Sequence, residues 1–283
     1  MKLWPALDFA SVDDLLLAEL DDFSPTASEE LDNGVRVFFA SREHRDRAQA
    51  AFRARRIVAV PIEVSDEDWA VRSQQNLTPI NVGNITVLPS RPERSEDRPI
   101  AIVIEPSMGF GTGHHATTRL CLSALQRSPV RGASVLDVGT GSGILAIAAA
   151  RLGAAQARGI DSDADAIQSA NENLARNPEV RTVRFELTDV AQDLRSLPRA
   201  DIVLANLTGA LLARVASTLL DALNPGGTLI VSGILAAEEE AVRLAFSTVE
   251  TVWRQQEDEW IGLMFLKART ADIGLNRGIL SLV

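Results

Sequence analysis

The sequence predicts an α/β protein: a doubly wound, mostly parallel sheet with an antiparallel last strand, preceded by a small α+β domain of ferredoxin-like order. Three observations carry this. From Ile100 onward short apolar runs alternate with segments of helical periodicity, which is the pattern of a parallel sheet covered by helices on both faces. An apolar run ends in the glycine turn Gly139-Thr140-Gly141-Ser142-Gly143, and a helical segment follows directly. Residues 3 to 64 run strand, helix, strand, strand, helix, strand, the split-βαβ order that buries one sheet face under two helices in ~60 residues. A chain of 283 residues fits two domains at about 150 residues each.

Taken in order, residues 3 to 9 (LWPALDF) form a short strand, and Val12 to Leu20 carry apolar residues at helical spacing behind Ser11, a suitable N-cap. A hairpin follows: residues 26 to 31, the turn Asp32-Asn33-Gly34, and the alternating Val35-Arg36-Val37-Phe38-Phe39, with Asn-Gly supplying the positive backbone angles. Ser41 caps a charged helix to about Arg55, and Ile57 to Val64 is a last strand broken by Pro61. Residues 65 to 99 read as connector: an acidic helix start (Ser65 to Arg72), a strand (Ile85 to Leu88) and the polar stretch SRPERSEDRP. Beyond it the expected elements are strands at 135–138, 157–160, 182–187, 201–205, 228–232, 249–255 and 259–266, and helices at 143–152, 163–177, 208–223 and 236–247. The last two strands follow each other too closely for a helical crossover, so they must pair antiparallel. The domain division is therefore 1–64, a connector at 65–99, and 100–283.

Composition narrows the function. With 46% apolar and 23% charged residues the chain can bury a core, and disorder is excluded. The formal charge of -10 divides into 12 basic against 18 acidic residues in 1–99, and 16 against 20 in 100–283. With no basic block, the chain is a poor match for a nucleic-acid backbone, whereas a basic protein would be attracted to it. No apolar run approaches the ~20 residues that span a bilayer. The N-terminus lacks a basic segment followed by an apolar stretch, so a cytoplasmic location is expected. The single cysteine, Cys121, excludes an internal disulfide or a Cys-based metal centre, and reads as buried packing.

The glycine turn carries the chemistry. Its spacing is G-x-G-x-G, with Ile144 where a dinucleotide fingerprint would place a third glycine. The strand at 157–160 ends at Asp161, 22 positions after Gly139, where a carboxylate can accept hydrogen bonds from two ribose hydroxyls. Asp161 could instead cap the following helix, a task for which Asp163 is equally well placed. Together the turn and the acid read as an adenosine-nucleoside site.

Asp137 before G-x-G-x-G, followed by the ribose acid, resembles the class I S-adenosylmethionine-dependent methyltransferases, which have a Rossmann-like sheet. The segment Glu105-Pro106-Ser107-Met108-Gly109-Phe110-Gly111-Thr112-Gly113-His114-His115-Ala116-Thr117-Thr118 is similar to D-P-x-M-A-F-G-T-G-T-H-P-T-T of the PrmA family, whose members methylate ribosomal protein L11; nine positions agree. Ala205-Asn206-Leu207, Pro225-Gly226-Gly227 and Ser232-Gly233-Ile234-Leu235 also resemble that family. The similarity runs from about Asp68 to Leu266, and the N-terminal domain agrees by topology only.

The resemblance implies that Thr118, Gly139, Asp161 and Asn206 bind S-adenosylmethionine, with the loop Phe110 to Gly113, including Gly111, folding over it. Gly139, Gly141 and Gly143 would admit the methionine moiety, Asp161 the ribose and Thr118 the amino-acid end. Asp189 would accept from the adenine amino group or cap a turn. Asn206 would also orient the acceptor amine. The implied reaction is transfer of methyl groups to amines, lysine side chains or an N-terminus, of a basic ribosomal protein recognised by residues 1–64. Alternatives are a methyltransferase for another protein or a small molecule, and a non-catalytic S-adenosylmethionine-binding module. The chain departs from the family at His114-His115-Ala116, at Asn206-Leu207-Thr208, and at Ser73-Gln74 after Trp69, changes that surround the acceptor side more than the donor side. His115 is expected to order the loop, His114 could accept a proton, and neither has the partners of a metal ligand set.

Overall fold

The computed structural model describes residues 3–10, 20, 23, 25–31, 34–55, 57–65, 79–89, 100–105, 115–190 and 197–269. The chain divides into two compact units, residues 1–77 with 106–110 and residues 78–105 with 111–283.

The first unit is built on strands β1 (Leu3–Phe9), β2 (Pro25–Leu31), β3 (Gly34–Phe39) and β4 (Ala59–Ser65), paired antiparallel in the order β2-β3-β1-β4. Helix α1 (Arg42–Ala54) starts where the Ser41 hydroxyl accepts from the His44 amide at 3.3 Å. The period-2 alternation of β3 sorts its side chains. Val37 and Phe39 join Leu7, Phe9 and the α1 residues Ala48 and Phe52, while Phe38 packs with Ala6 and Val64 on the other face. The split-βαβ expectation also requires a helix over Val12 to Leu20, which lies outside the described residues apart from Leu20.

The second unit opens with a small sheet, β5 (Ile80–Val82), β6 (Ile85–Leu88) and β7 (Ile100–Val103), in which β6 pairs antiparallel with β5 and parallel with β7. Residues 80–88, read from the sequence as part of a connector at 65–99, lie in the second unit. The reason is burial: Ile85, Val87 and Ile102 are at most 2% exposed and pack into the main core, whereas the polar stretches on either side gave the segment the composition of a linker.

Seven further strands form the main sheet: β8 (Ser134–Val138), β9 (Gln156–Asp161), β10 (Val183–Leu187), β11 (Ala200–Asn206), β12 (Leu223–Leu235), β13 (Glu250–Glu257) and β14 (Trp260–Leu266). Their order is β10-β9-β8-β11-β12-β14-β13. The first five run parallel, and β14 inserts antiparallel between β12 and β13 as its short connection requires. The helices are α2 (Ala116–Arg127), α3 (Ile144–Arg151), α4 (Ala164–Arg176), α5 (Gly209–Asp221) and α6 (Glu239–Ala245), the last preceded by a 3-10 turn at Ala236–Glu238.

Neighbouring strand residues join opposite cores. Val135, Ile202, Leu204 and Ile230 pack with Leu122 of α2 and Ile144 and Ile147 of α3, while Leu136, Val138, Val203 and Val231 pack with Leu212, Val215 and Leu219 of α5 and Val242 of α6. Both sheet faces are thus covered, as a doubly wound sheet demands. Helix α2 is an element the periodicity reading did not assign. No helix among the described residues is long and apolar enough to cross a membrane.

Candidate active site

The carboxyl ends of β8, β9 and β11 meet at one edge of the sheet, the edge where α/β proteins bind ligands. The register pairs Val138 with Ile160 on one side and with Ala205 on the other. Gly139, Asp161 and Asn206, each the next residue along its own strand, therefore come together.

The glycine turn is held by the strand beside it. The Gly139 and Thr140 amides both donate to the Ile160 carbonyl, at 2.9 and 3.0 Å, and the Gly141 amide donates to Asp161 Oδ2 at 2.9 Å. Gly139, Gly141 and Gly143 have φ of 71°, 52° and 81°, a region that costs any residue with a Cβ. Space gives a second reason: a Cβ on Gly139 would strike the Leu207 side chain, and one on Gly143 would come within 2.6 Å of Phe185 Cζ.

Asp161 is half-buried, and its other oxygen, Oδ1, accepts from the Asp163 amide at 3.0 Å. Asp163 itself caps α4, its Oδ1 accepting from the Asp165 amide at 2.9 Å. The helix-cap alternative for Asp161 therefore falls to Asp163. Each Asp161 oxygen accepts one backbone amide, and a carboxylate oxygen can accept two bonds, so the pair can also receive two ribose hydroxyls. The residues present fit an adenosine nucleoside.

Asp137 lies beneath the turn, 1% exposed. Its Oδ2 accepts from Thr140 Oγ1 at 2.7 Å and from the Ala146 amide at 3.2 Å, while Oδ1 is buried without a hydrogen-bond partner among the described residues. Burial, with the Asp161 charge as a minor contribution, pushes its pKa up to about 7, against the lowering effect of the two bonds it accepts. Sequence reasoning noted this acid as part of a motif and missed its depth.

Asn206 ends β11, half-buried, and its Nδ2 donates to Thr117 Oγ1 at 3.2 Å. That bond brings the start of α2, and with it the buried Thr118, to the same edge. Gly233 lets the chain just after Asn206 lie close against β12: at φ 83° it sits in a bulge of β12, where a Cβ would run into the Leu207 backbone. His115 is the N-cap of α2, its Nδ1 accepting from the Thr117 amide at 3.4 Å, and its ring stands edge-on to Trp260 at 4.8 Å. Asp189 lies two residues beyond β10, whose Leu187 pairs with Asp161. Phe110, Gly111 and His114 lie outside the described residues.

Residues 24–268 match the family model described as ribosomal protein L11 methyltransferase (PrmA). The chain belongs to the ribosomal protein L11 methyltransferase family. As a member it is a methyltransferase, with S-adenosylmethionine as its methyl donor. Among curated relatives, the ribosomal protein L11 methyltransferase of Pelobacter propionicus is 39% identical over 218 residues, covering 74% of this chain and 69% of that protein. The one from Deinococcus radiodurans is 37% identical over 232 residues, covering 77% and 79%. Among solved structures, the ribosomal protein L11 methylase of Lactobacillus delbrueckii subsp. bulgaricus superposes with a TM-score of 0.61 at 27% identity, over 68% of this chain and 99% of that one. The fold resemblance read from the glycine turn, to class I methyltransferases, agrees with that match.

Proposed function

We propose that the methyl acceptors are amine nitrogens of ribosomal protein L11, on lysine side chains or the N-terminus, and that Asn206 orients them. S-adenosylmethionine supplies a methyl carbon on a positively charged sulfur, so the departing group is neutral and needs no acid. Gly139, Gly141 and Gly143 bring backbone against its methionine moiety, Asp161 takes the ribose, Thr118 the amino-acid end, and Asp189 the adenine. A lysine amine, with a free-solution pKa of about 10.4, must lose its proton before it attacks, and desolvation beside a positive charge favours that loss. Asn206 is no base. It accepts a hydrogen bond from the amine and aims the lone pair, and solvent takes the proton. The acidic chain, at -10 overall, suits a basic protein acceptor rather than a nucleic acid.

The observation that carries this reading is Asn206 at the end of β11 with its amide already anchored by Thr117. Misaiming a nucleophile can cost about 10²-fold in rate. Asn206→Ala is therefore expected to lower turnover at saturating donor by roughly 10- to 100-fold, measured with labelled S-adenosylmethionine and ribosomal protein L11. Full recovery of turnover at saturating donor would reduce Asn206 to a donor-binding residue.

A further inference from the structure

We infer that Thr117 and His115 are positioning residues that fix which end of the Asn206 amide faces the acceptor; the inference rests on the orienting role of Asn206 proposed above. Three contacts form a directed chain. Asn206 Nδ2 lies 3.2 Å from Thr117 Oγ1, Thr117 Oγ1 lies 2.7 Å from His115 Nδ1, and the Thr117 amide donates to the same Nδ1 at 3.4 Å.

The direction follows from hydrogen counting. Nδ1 receives an amide N–H, so it carries no proton and His115 is the Nε2–H tautomer. Thr117 has one hydroxyl hydrogen, which goes to Nδ1, and its oxygen lone pairs are left to accept from Asn206 Nδ2. Asn206 must then present Oδ1 on the side away from Thr117. An orienter of an amine has to be an acceptor there, and Oδ1 is the only acceptor an amide side chain has.

Were the proton on Nδ1, the Thr117 hydroxyl would accept from the imidazole. It would lose the acceptor for its own hydrogen, and an amide turned to offer Oδ1 inward would supply one. The amine would then meet an NH2 group. The Thr117 amide, by donating to Nδ1, selects the required tautomer, and burial with the nearby Arg119 charge lowers the His115 pKa, against weaker raising effects of Glu259 and Glu257, which favours the uncharged ring. Trp260 packs edge-on to it at 4.8 Å, and Thr117, 4% exposed, is shielded from water that could compete for its hydroxyl.

The test uses the full chain with Thr117→Val, which keeps the shape and removes the hydroxyl, and Thr117→Ser, which keeps the hydroxyl. Each is also made in an Asn206→Ala background. Loss of one hydrogen bond corresponds to roughly tenfold. Turnover of Thr117→Val at saturating donor is expected to fall about tenfold with S-adenosylmethionine affinity by calorimetry changed less than about threefold, and Thr117→Ser is expected to restore it. In the Asn206→Ala background Thr117→Val is expected to add less than about twofold, because its partner is already gone. Equal effects of Thr117→Val in both backgrounds would overturn the chain of contacts. So would normal turnover in Thr117→Val alone, or a loss of turnover explained wholly by weaker donor binding. The Asn206→Ala single variant reports separately on the orienting role itself, so the two failures are told apart.

Discussion

Asp161→Ala is expected to weaken S-adenosylmethionine binding by about 10- to 150-fold. Two physical losses combine. A charged acceptor lost from a ribose costs roughly 1.5 to 3 kcal/mol, which is that range in affinity. The same substitution releases the Gly141 and Asp163 amides, which Asp161 holds at 2.9 and 3.0 Å, so the glycine turn also loses its brace to β9. Asp163 cannot substitute, because it is occupied capping α4. Asp161→Asn separates the two contributions: it keeps one oxygen for the Gly141 amide and places an NH2 where the other acceptor stood. It should therefore bind more tightly than Asp161→Ala and more weakly than the wild type. Calorimetry on the three proteins decides the matter, and unchanged affinity in Asp161→Ala would sink the ribose assignment.

The second large effect concerns stability rather than binding. Asp137 has a folded pKa raised to about 7, above the ~3.9 of an unfolded aspartate. The folded chain thus keeps a proton that the unfolded chain gives up, and the sign is opposite to that of a salt-bridged carboxylate. The contribution is fully present below about pH 4 and is lost as pH rises to about 7, where the buried carboxylate must ionise with no hydrogen bond to Oδ1 from the described residues. Asp137→Asn mimics the neutral form, so its stability relative to wild type should rise between about pH 4 and about pH 7 and level off above that. His115 works in the other direction over part of that window, since with a lowered folded pKa stability rises with pH until an unfolded histidine is also neutral, above about pH 6.5. Because both proteins carry His115, the difference between them removes it. Urea denaturation of both across the range is the measurement, and a pH-independent difference would show that Asp137 ionises freely.

Much of this site was legible because its parts are adjacent in sequence. A glycine turn directly after an apolar run, and an acid one strand further on, place backbone and carboxylate together by topology alone. Helix α2 was harder. Its N-cap is His115, a residue type without the usual capping signature, so nothing marked a start at Ala116. The pair β5 and β6 are only three and four residues long and are joined through Gly83-Asn84; flanking polar stretches masked a hairpin whose burial is supplied by distant residues. The Thr117–Asn206 contact spans 89 positions and depends on where β11 ends relative to α2, a register that no local pattern encodes. Likewise the burial of Asp137 comes from α3 packing over it, and the sequence shows only an acid in an apolar strand.

The most direct measurement offers purified ribosomal protein L11 and a set of small amines to the enzyme with isotope-labelled S-adenosylmethionine, and locates the label by peptide mass spectrometry. The expected result is label on lysine side-chain or N-terminal nitrogens of the ribosomal protein and none on the small amines. Label on the small amines with none on the ribosomal protein would contradict it.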